Sequence, residues 1–150
     1  MRDAPVIRIR RLPHAEGLGL PSYASAGAAG ADLRAAVGDE LRLAPGERAA
    51  VPTGLILEIP PGWEGQVRPR SGLALRHGLT VVNAPGTIDS DYRGELKILM
   101  VNLGEAEVSI RRGDRVAQLV VAPAPQVDFS VAEDVGATDR GAGGFGSTGR

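Results

Sequence analysis

The chain has 150 residues with 17 basic and 18 acidic side chains, no cysteine, and a formal net charge of −1. That length suits one domain around a single core, and the balanced charge argues against a nucleic-acid polymer as partner. Without thiols there is no disulfide framework or thiolate metal site, and two isolated histidines, His14 and His77, cannot hold zinc by themselves. The stretch Met1–Pro5 carries no apolar leader, and no run approaches the roughly 20 apolar residues of a membrane helix, so no membrane partner is expected and the default compartment is cytoplasmic. With two Phe, two Tyr and one Trp, the core must come from Val, Leu, Ile and Ala, while 21 Gly and 11 Pro fit short strands joined by turns.

Val6–Arg10 alternates Ile with Arg and predicts a half-buried first strand. A loop follows from His14 to Gly27, with a short strand around Leu20–Tyr23. Ala28–Ala35 brings Asp32 behind a run of small residues; taken alone, it fits an exposed Asp on an edge strand better than a site. Leu41–Leu43 is a strand closed by Ala44-Pro45-Gly46-Glu47, a type II turn sequence. Ala49–Gly54 leads into Leu55–Ile59, the chain breaks at Pro60-Pro61-Gly62, and Trp63–Val67 restarts it, with Trp63 packed at the core or its rim.

Arg68 and Arg70 flank Pro69, and Ser71 and Gly72 open one short helix, Ser71–Arg76, stopped by His77-Gly78. Ser71 as N-cap beside the Arg70 guanidinium would make an anion site. A capped helical turn with an exposed Arg fits the same residues equally well. Leu79–Asn83 is a strand that delivers Asn83, whose amide can read a base edge or simply form a turn.

Gly86–Glu95 follows, with Asp89, Asp91 and Tyr92 between glycines, and predicts a surface hairpin carrying reactive groups. Asp-Ser-Asp is also ordinary turn chemistry. Leu96–Leu103, almost wholly apolar, predicts a strand buried on both faces. Val108–Ile110 and Val116–Val121 are further strands joined through Arg112–Arg115, and the amide of Gln118 in that apolar run must find a partner. A last short strand is expected around Val127–Phe129.

Residues 139–150 form a Gly-rich arm, expected to be mobile when empty. Gly141 and Gly146 have the spacing of a phosphate loop, but Ser147 stands where the lysine belongs and no helix can follow, which excludes a P-loop. Arg140, the glycines, Ser147 and Thr148 nevertheless suit phosphate, and Phe145 can stack on a flat ring.

Five segments in this order resemble those of the trimeric dUTPases: Ala28–Leu33, Pro69–Ala74, Asn83–Gly94, Gly113–Leu119 and Arg140–Gly149. The resemblance implies an all-β, jelly-roll-like barrel or sandwich with one short helix over residues 1–138. Residues 139–150 would be a flexible arm closing an active site of another subunit, in a homotrimer with interfacial sites. It implies Mg²⁺-dependent hydrolysis of dUTP to dUMP and diphosphate, which clears dUTP from the nucleotide pool and supplies dUMP for dTMP synthesis.

By the same resemblance Asp89 is the general base for the water that attacks the α-phosphorus. Asn83 and the backbone at Thr87, Ile88 and Lys97 hold uracil, and Tyr92 lies against the deoxyribose. Arg70, Ser71, Gly72 and Gln118 bind the phosphates, and Asp32 holds the hydrated metal through water. Phe145 covers uracil, while Arg140, Gly146, Ser147 and Thr148 surround the terminal phosphates. The alternatives are a dCTP deaminase relative, which needs a glutamate at the base, and a nucleotide-sensing module without turnover.

Overall fold

The computed structural model describes residues 4–149; residues 1–3 and 150, the start of the N-terminal stretch and the end of the arm, lie outside the described residues. The described residues form an all-β, jelly-roll-like sandwich. One sheet runs in the order β1 (Arg8–Arg11), β5 (Arg48–Glu58), β9 (Glu95–Asn102), β7 (Leu79–Val81). The other runs β2 (Ser22–Tyr23), β3 (Ala31–Arg34), β11 (Arg115–Pro123), β6 (Trp63–Arg68), β8 (Gly86–Ile88), and β4 (Glu40–Leu43) pairs with β10 (Val108–Arg111) as a ribbon. Asp32 therefore sits on an interior strand, between β2 and β11, and not on an edge.

Alternation along each strand sends one set of side chains inward. Val51 and Leu57 of β5, Leu96, Ile98 and Met100 of β9, and Leu33, Val67 and Leu119 of the facing sheet join one aliphatic core, with Trp63 packed at its rim. Each such Leu, Ile or Met contributes about 1.5–3 kcal/mol by leaving water. The core faces only one side of each sheet, so β9 alternates instead of being buried on both faces: Lys97 and Leu99 point outward, and Leu99 is 42% exposed.

Expected turns and breaks appear with small shifts. Gly46, at φ 84°, completes the turn after β4, where the Glu47 amide donates to the Ala44 carbonyl at 3.0 Å. Residues 48–58 form one strand with an irregularity between Pro52 and Ile56, where Gly54 takes φ 68° against Ala15. The helix α1 (Ser71–His77) ends on Gly78 in the left-handed conformation, but its cap position is Arg70, and Ser71 makes no capping bond. No strand forms around Val127–Phe129: β11 is already paired on both sides, with β3 and β6, and the segment joins none of the sheets among the described residues. Phe129 is 95% exposed.

Asn102 is the polar residue on which the ribbon depends. Fully buried at the end of β9, its Nδ2 donates to the carbonyls of Leu43 (2.9 Å) and Ala106 (2.8 Å), and its Oδ1 accepts from the Gly104 amide (2.9 Å). The apolar run around it gave no hint of this role. Asn102→Ala strands these groups away from water and is expected to destabilise the fold by about 2–4 kcal/mol. Urea unfolding measures this, and a loss below about 1 kcal/mol would contradict the assignment.

Candidate active site

A cavity of about 370 Å³ opens on the outer face of the five-stranded sheet, lined by Asp32, Arg68, Arg70, Ser71, Gly72, Arg76 and Gln118 among others. Sheet register builds it. Gln118 on β11 lies opposite Asp32 on β3 and Arg68 on β6, so three polar side chains share one row and one face. Gln118 Nε2 donates to the Pro69 carbonyl at 2.9 Å, which supplies the partner its amide requires and ties β11 to the entry of α1. Gly30 packs so closely beneath the Gln118 amide that a Cβ there would overlap Oε1.

Asp32, with its side chain 12% exposed, meets two guanidinium groups: Arg70 Nε at 3.4 Å and Arg115 Nη1 at 3.3 Å. Arg70 Nη1 also donates to the Arg115 carbonyl at 3.1 Å. Arg68 donates to Gln66, while the Arg76 guanidinium lies over Gly72, one helical turn back. Three arginines against one aspartate leave the cavity positive and rich in donors, the chemistry of a polyphosphate site.

A second group of residues gathers elsewhere. Thr87 and Ile88 lie on β8, paired with Gln66 and Gly65 of β6, and the Asn83 amide rests against Gly86. Asp89, Ser90 and Asp91 line a separate cleft of about 700 Å³ with Trp63, Glu64 and Pro125. The Tyr92 amide donates to the Asp89 carbonyl at 3.2 Å, and Arg93 Nη1 to the Ser90 carbonyl at 2.7 Å, so the turn holds itself. The Tyr92 ring lies over Gly94, and Lys97 stands exposed on β9. The connection is no hairpin: β8 pairs with β6 and β9 with β5 and β7, so the turn carries the chain from one sheet to the other.

The two groups are far apart within the chain. Ile88 is level with Gly65 and Asp32 with Arg68, three residues along β6 and three strand spacings across. At about 3.3 Å per residue and 4.8 Å per strand, Asp32 and Ile88 lie roughly 17 Å apart. The arm stands away from both. Arg140 Nε donates to the Gly143 carbonyl of its own turn (2.7 Å), and Phe145 is fully exposed at φ 52°. Neither cavity is lined by Phe145, Gly146, Ser147 or Thr148.

A dUTPase family model matches residues 18–149. The chain belongs to the dUTPase family. It is 61% identical over 147 residues to a deoxyuridine 5'-triphosphate nucleotidohydrolase of Mesorhizobium japonicum, covering 97% of this chain and 91% of that protein. It is 59% identical to the Rhizobium meliloti protein of the same name, over 97% and 92%. Its fold matches a Staphylococcus bacteriophage 80alpha dUTPase solved with dUpNHpp, at TM-score 0.88 and 25% identity, over 97% of this chain and 99% of that one.

Within this dUTPase-family chain, sequence reasoning named Asp32, Arg70, Ser71, Gly72 and Gln118, which the fold brings into one cavity. It missed Arg115 and Arg76. The spacing of Gly72 and Arg76, one turn apart on a short helix, carried a signal for Arg76; Arg115 lies inside the Gly113–Leu119 segment, but its contact with Asp32 depends on strand pairing across 83 residues. Gly30→Ala is expected to push the Gln118 amide from its place and to weaken diphosphate binding about tenfold, a loss of one oriented donor. Titration calorimetry with inorganic diphosphate measures this; unchanged affinity would contradict the packing role of Gly30.

Proposed function

We propose that the chain hydrolyses dUTP to dUMP and diphosphate at sites shared between copies of itself, in a homotrimer. The observation that carries this reading is the separation of Asp32 from the Asp89 turn within one chain, set against the resemblance to the trimeric dUTPases, which implies one nucleotide site that uses both groups. The two groups of one chain open into separate cavities. A second copy can bring its Asp89 turn to the Arg70 cavity of the first. Exposed apolar side chains at Val82, Leu99 and Leu103 support contact between copies, as does the unpaired alternation of Val127, Phe129 and Val131.

In this reading Arg70, Ser71, Gly72 and Gln118 hold the phosphate chain. When phosphate arrives, Arg70 can turn from Asp32 towards it while Arg115 keeps the carboxylate in place. No group of three or more His, Cys, Asp or Glu residues among the described residues could cage a metal. Asp32 alone fits Mg²⁺, which favours waters and phosphate oxygens over a protein cage. Bound there, the ion would neutralise phosphate charge; Asp32 would hold it through water.

Asn83 with the backbone of Thr87, Ile88 and Lys97 holds the uracil edge, and the Tyr92 ring packs on the deoxyribose. Asp89, exposed at the cleft, accepts the proton of the water that attacks the α-phosphorus. Residues 139–150 act as a lid: Phe145 covers uracil, and Arg140, Gly146, Ser147 and Thr148 enclose the terminal phosphates and exclude water. A deaminase would need a glutamate at the base. Glu95, which ends the turn, instead directs its carboxylate back to His14 and Gly54, and Glu64, which shares the Asp89 cleft, accepts from Gln66 Nε2 at 2.6 Å.

The expected outcome for wild type with Mg²⁺ is release of dUMP and diphosphate from dUTP, with no ammonia from dCTP. Asp89→Asn is expected to bind a dUTP analogue as tightly while turnover falls about 10³-fold. A variant rate near wild type would mean that Asp89 is not the base.

A further inference from the structure

The carboxylate of Glu95, at the end of the turn that carries Asp89 and Tyr92, makes contacts that belong neither to the nucleotide cavity nor to the apolar core. Its side chain is 15% exposed. Glu95 Oε2 lies 3.0 Å from His14 Nε2 and 3.3 Å from the Gly54 amide nitrogen. A carboxylate can only accept, so Nε2 carries the proton and His14 donates. The main-chain carbonyl of the same residue accepts from the Tyr92 hydroxyl at 3.1 Å.

Each support of Glu95 is itself fixed. Gly54, at φ 68°, sits at the irregularity of β5 with Ala15 pressed against it, and its carbonyl accepts from the Leu12 amide at 2.8 Å. The turn that carries His14 is also held by Arg112, whose two terminal nitrogens donate to the carbonyls of His14 and Glu16, each at 2.7 Å. Glu95 thus joins three pieces of chain to the exit of the turn. Its backbone oxygen is the only side-chain hydrogen-bond anchor of Tyr92 among the described residues. Gly94 leaves room for the ring against the backbone, since a Cβ there would overlap the Tyr92 hydroxyl and ring carbons.

We propose that Glu95 is a positioning residue that sets how strictly a ribonucleotide is rejected. The inference rests on the reading of Tyr92 as the ring against the sugar. A 2′-hydroxyl is refused only if that ring cannot retreat. The Glu95 carboxylate, clamped by His14 and the Gly54 amide, holds the carbonyl that holds the Tyr92 hydroxyl. Loosening the clamp lets the ring withdraw and admits the larger sugar.

The test compares kcat/KM for dUTP and UTP in wild type, Glu95→Ala, Glu95→Gln and His14→Ala, with Tyr92→Ala as reference. Glu95→Ala is expected to lower the dUTP-to-UTP preference about tenfold, mainly through KM, since displacing a positioning group by a fraction of an ångström has effects of that order. His14→Ala moves the ratio in the same direction by less. Glu95→Gln, which still presents an oxygen to His14 and Gly54, retains most of the preference. If Glu95→Ala does not fold, His14→Ala carries the test, because His14 lies at the surface.

A wild-type ratio in Glu95→Ala, or in His14→Ala where it alone is available, overturns the proposal if Tyr92→Ala has lowered the ratio. If Tyr92→Ala also leaves the ratio unchanged, the sugar-contact reading of Tyr92 fails, and the role of Glu95 falls with it.

Discussion

The pairing of β11 with β3 on one side and β6 on the other is the constraint on which the candidate site depends. It sets Asp32, Gln118 and Arg68 in one row on the outer face of the sheet. A slip of β11 by one residue would turn Gln118 into the aliphatic core, where no partner awaits its amide, and leave Asp32 and Arg68 without it in their row. Leu33, Val67 and Leu119, their inward neighbours, hold that register through burial. The polar row is therefore fixed by apolar contacts beneath it. The Asp32 contacts with Arg70 and Arg115 then preset a positive cavity before any phosphate is present.

The same sheet keeps the Asp89 turn at a distance. β8 runs antiparallel along residues 65–67 of β6 and leaves it at the Gly65 end towards Asp89, whereas Arg68 and Arg70 lie at and beyond the opposite end. Antiparallel pairing thus separates the proposed base from the Arg70 cavity, and neither is lined by residues 145–148 of the arm. On the proposed reading, a site distributed over three separate parts of the surface is completed by assembly. This also gives a role to the exposed apolar residues: Leu99 faces outward from β9, and Val127, Phe129 and Val131 alternate without a partner strand.

Much of this was legible in the sequence, and the limits have physical causes. Strand positions, the turn at Gly46 and the stop at Gly78 follow from local chemistry, and the structure agrees. Segment order alone pointed to Asp32, Arg70, Ser71, Gly72 and Gln118, and the fold brings those five together. What failed was long-range pairing. The turn at Asp89 has hairpin composition, yet its flanking strands pair in different sheets. The apolar run at Leu96–Leu103 concealed both the outward-facing Leu99 and the buried, fully bonded Asn102. Period-2 alternation at Val127–Phe129 signalled a strand, but alternation cannot report whether a partner exists.

Subunit complementation tests the central claim most directly. Asp89→Asn and Arg70→Ala proteins, each inactive alone, are mixed, dissociated together and allowed to reassociate, and dUTP hydrolysis is followed. If each site takes Asp89 from one copy and Arg70 from another, random mixing in a closed symmetric assembly restores about a quarter of wild-type activity. Complete inactivity in mixed assemblies of verified composition would mean that both residues serve a site within a single chain, contradicting the shared-site account.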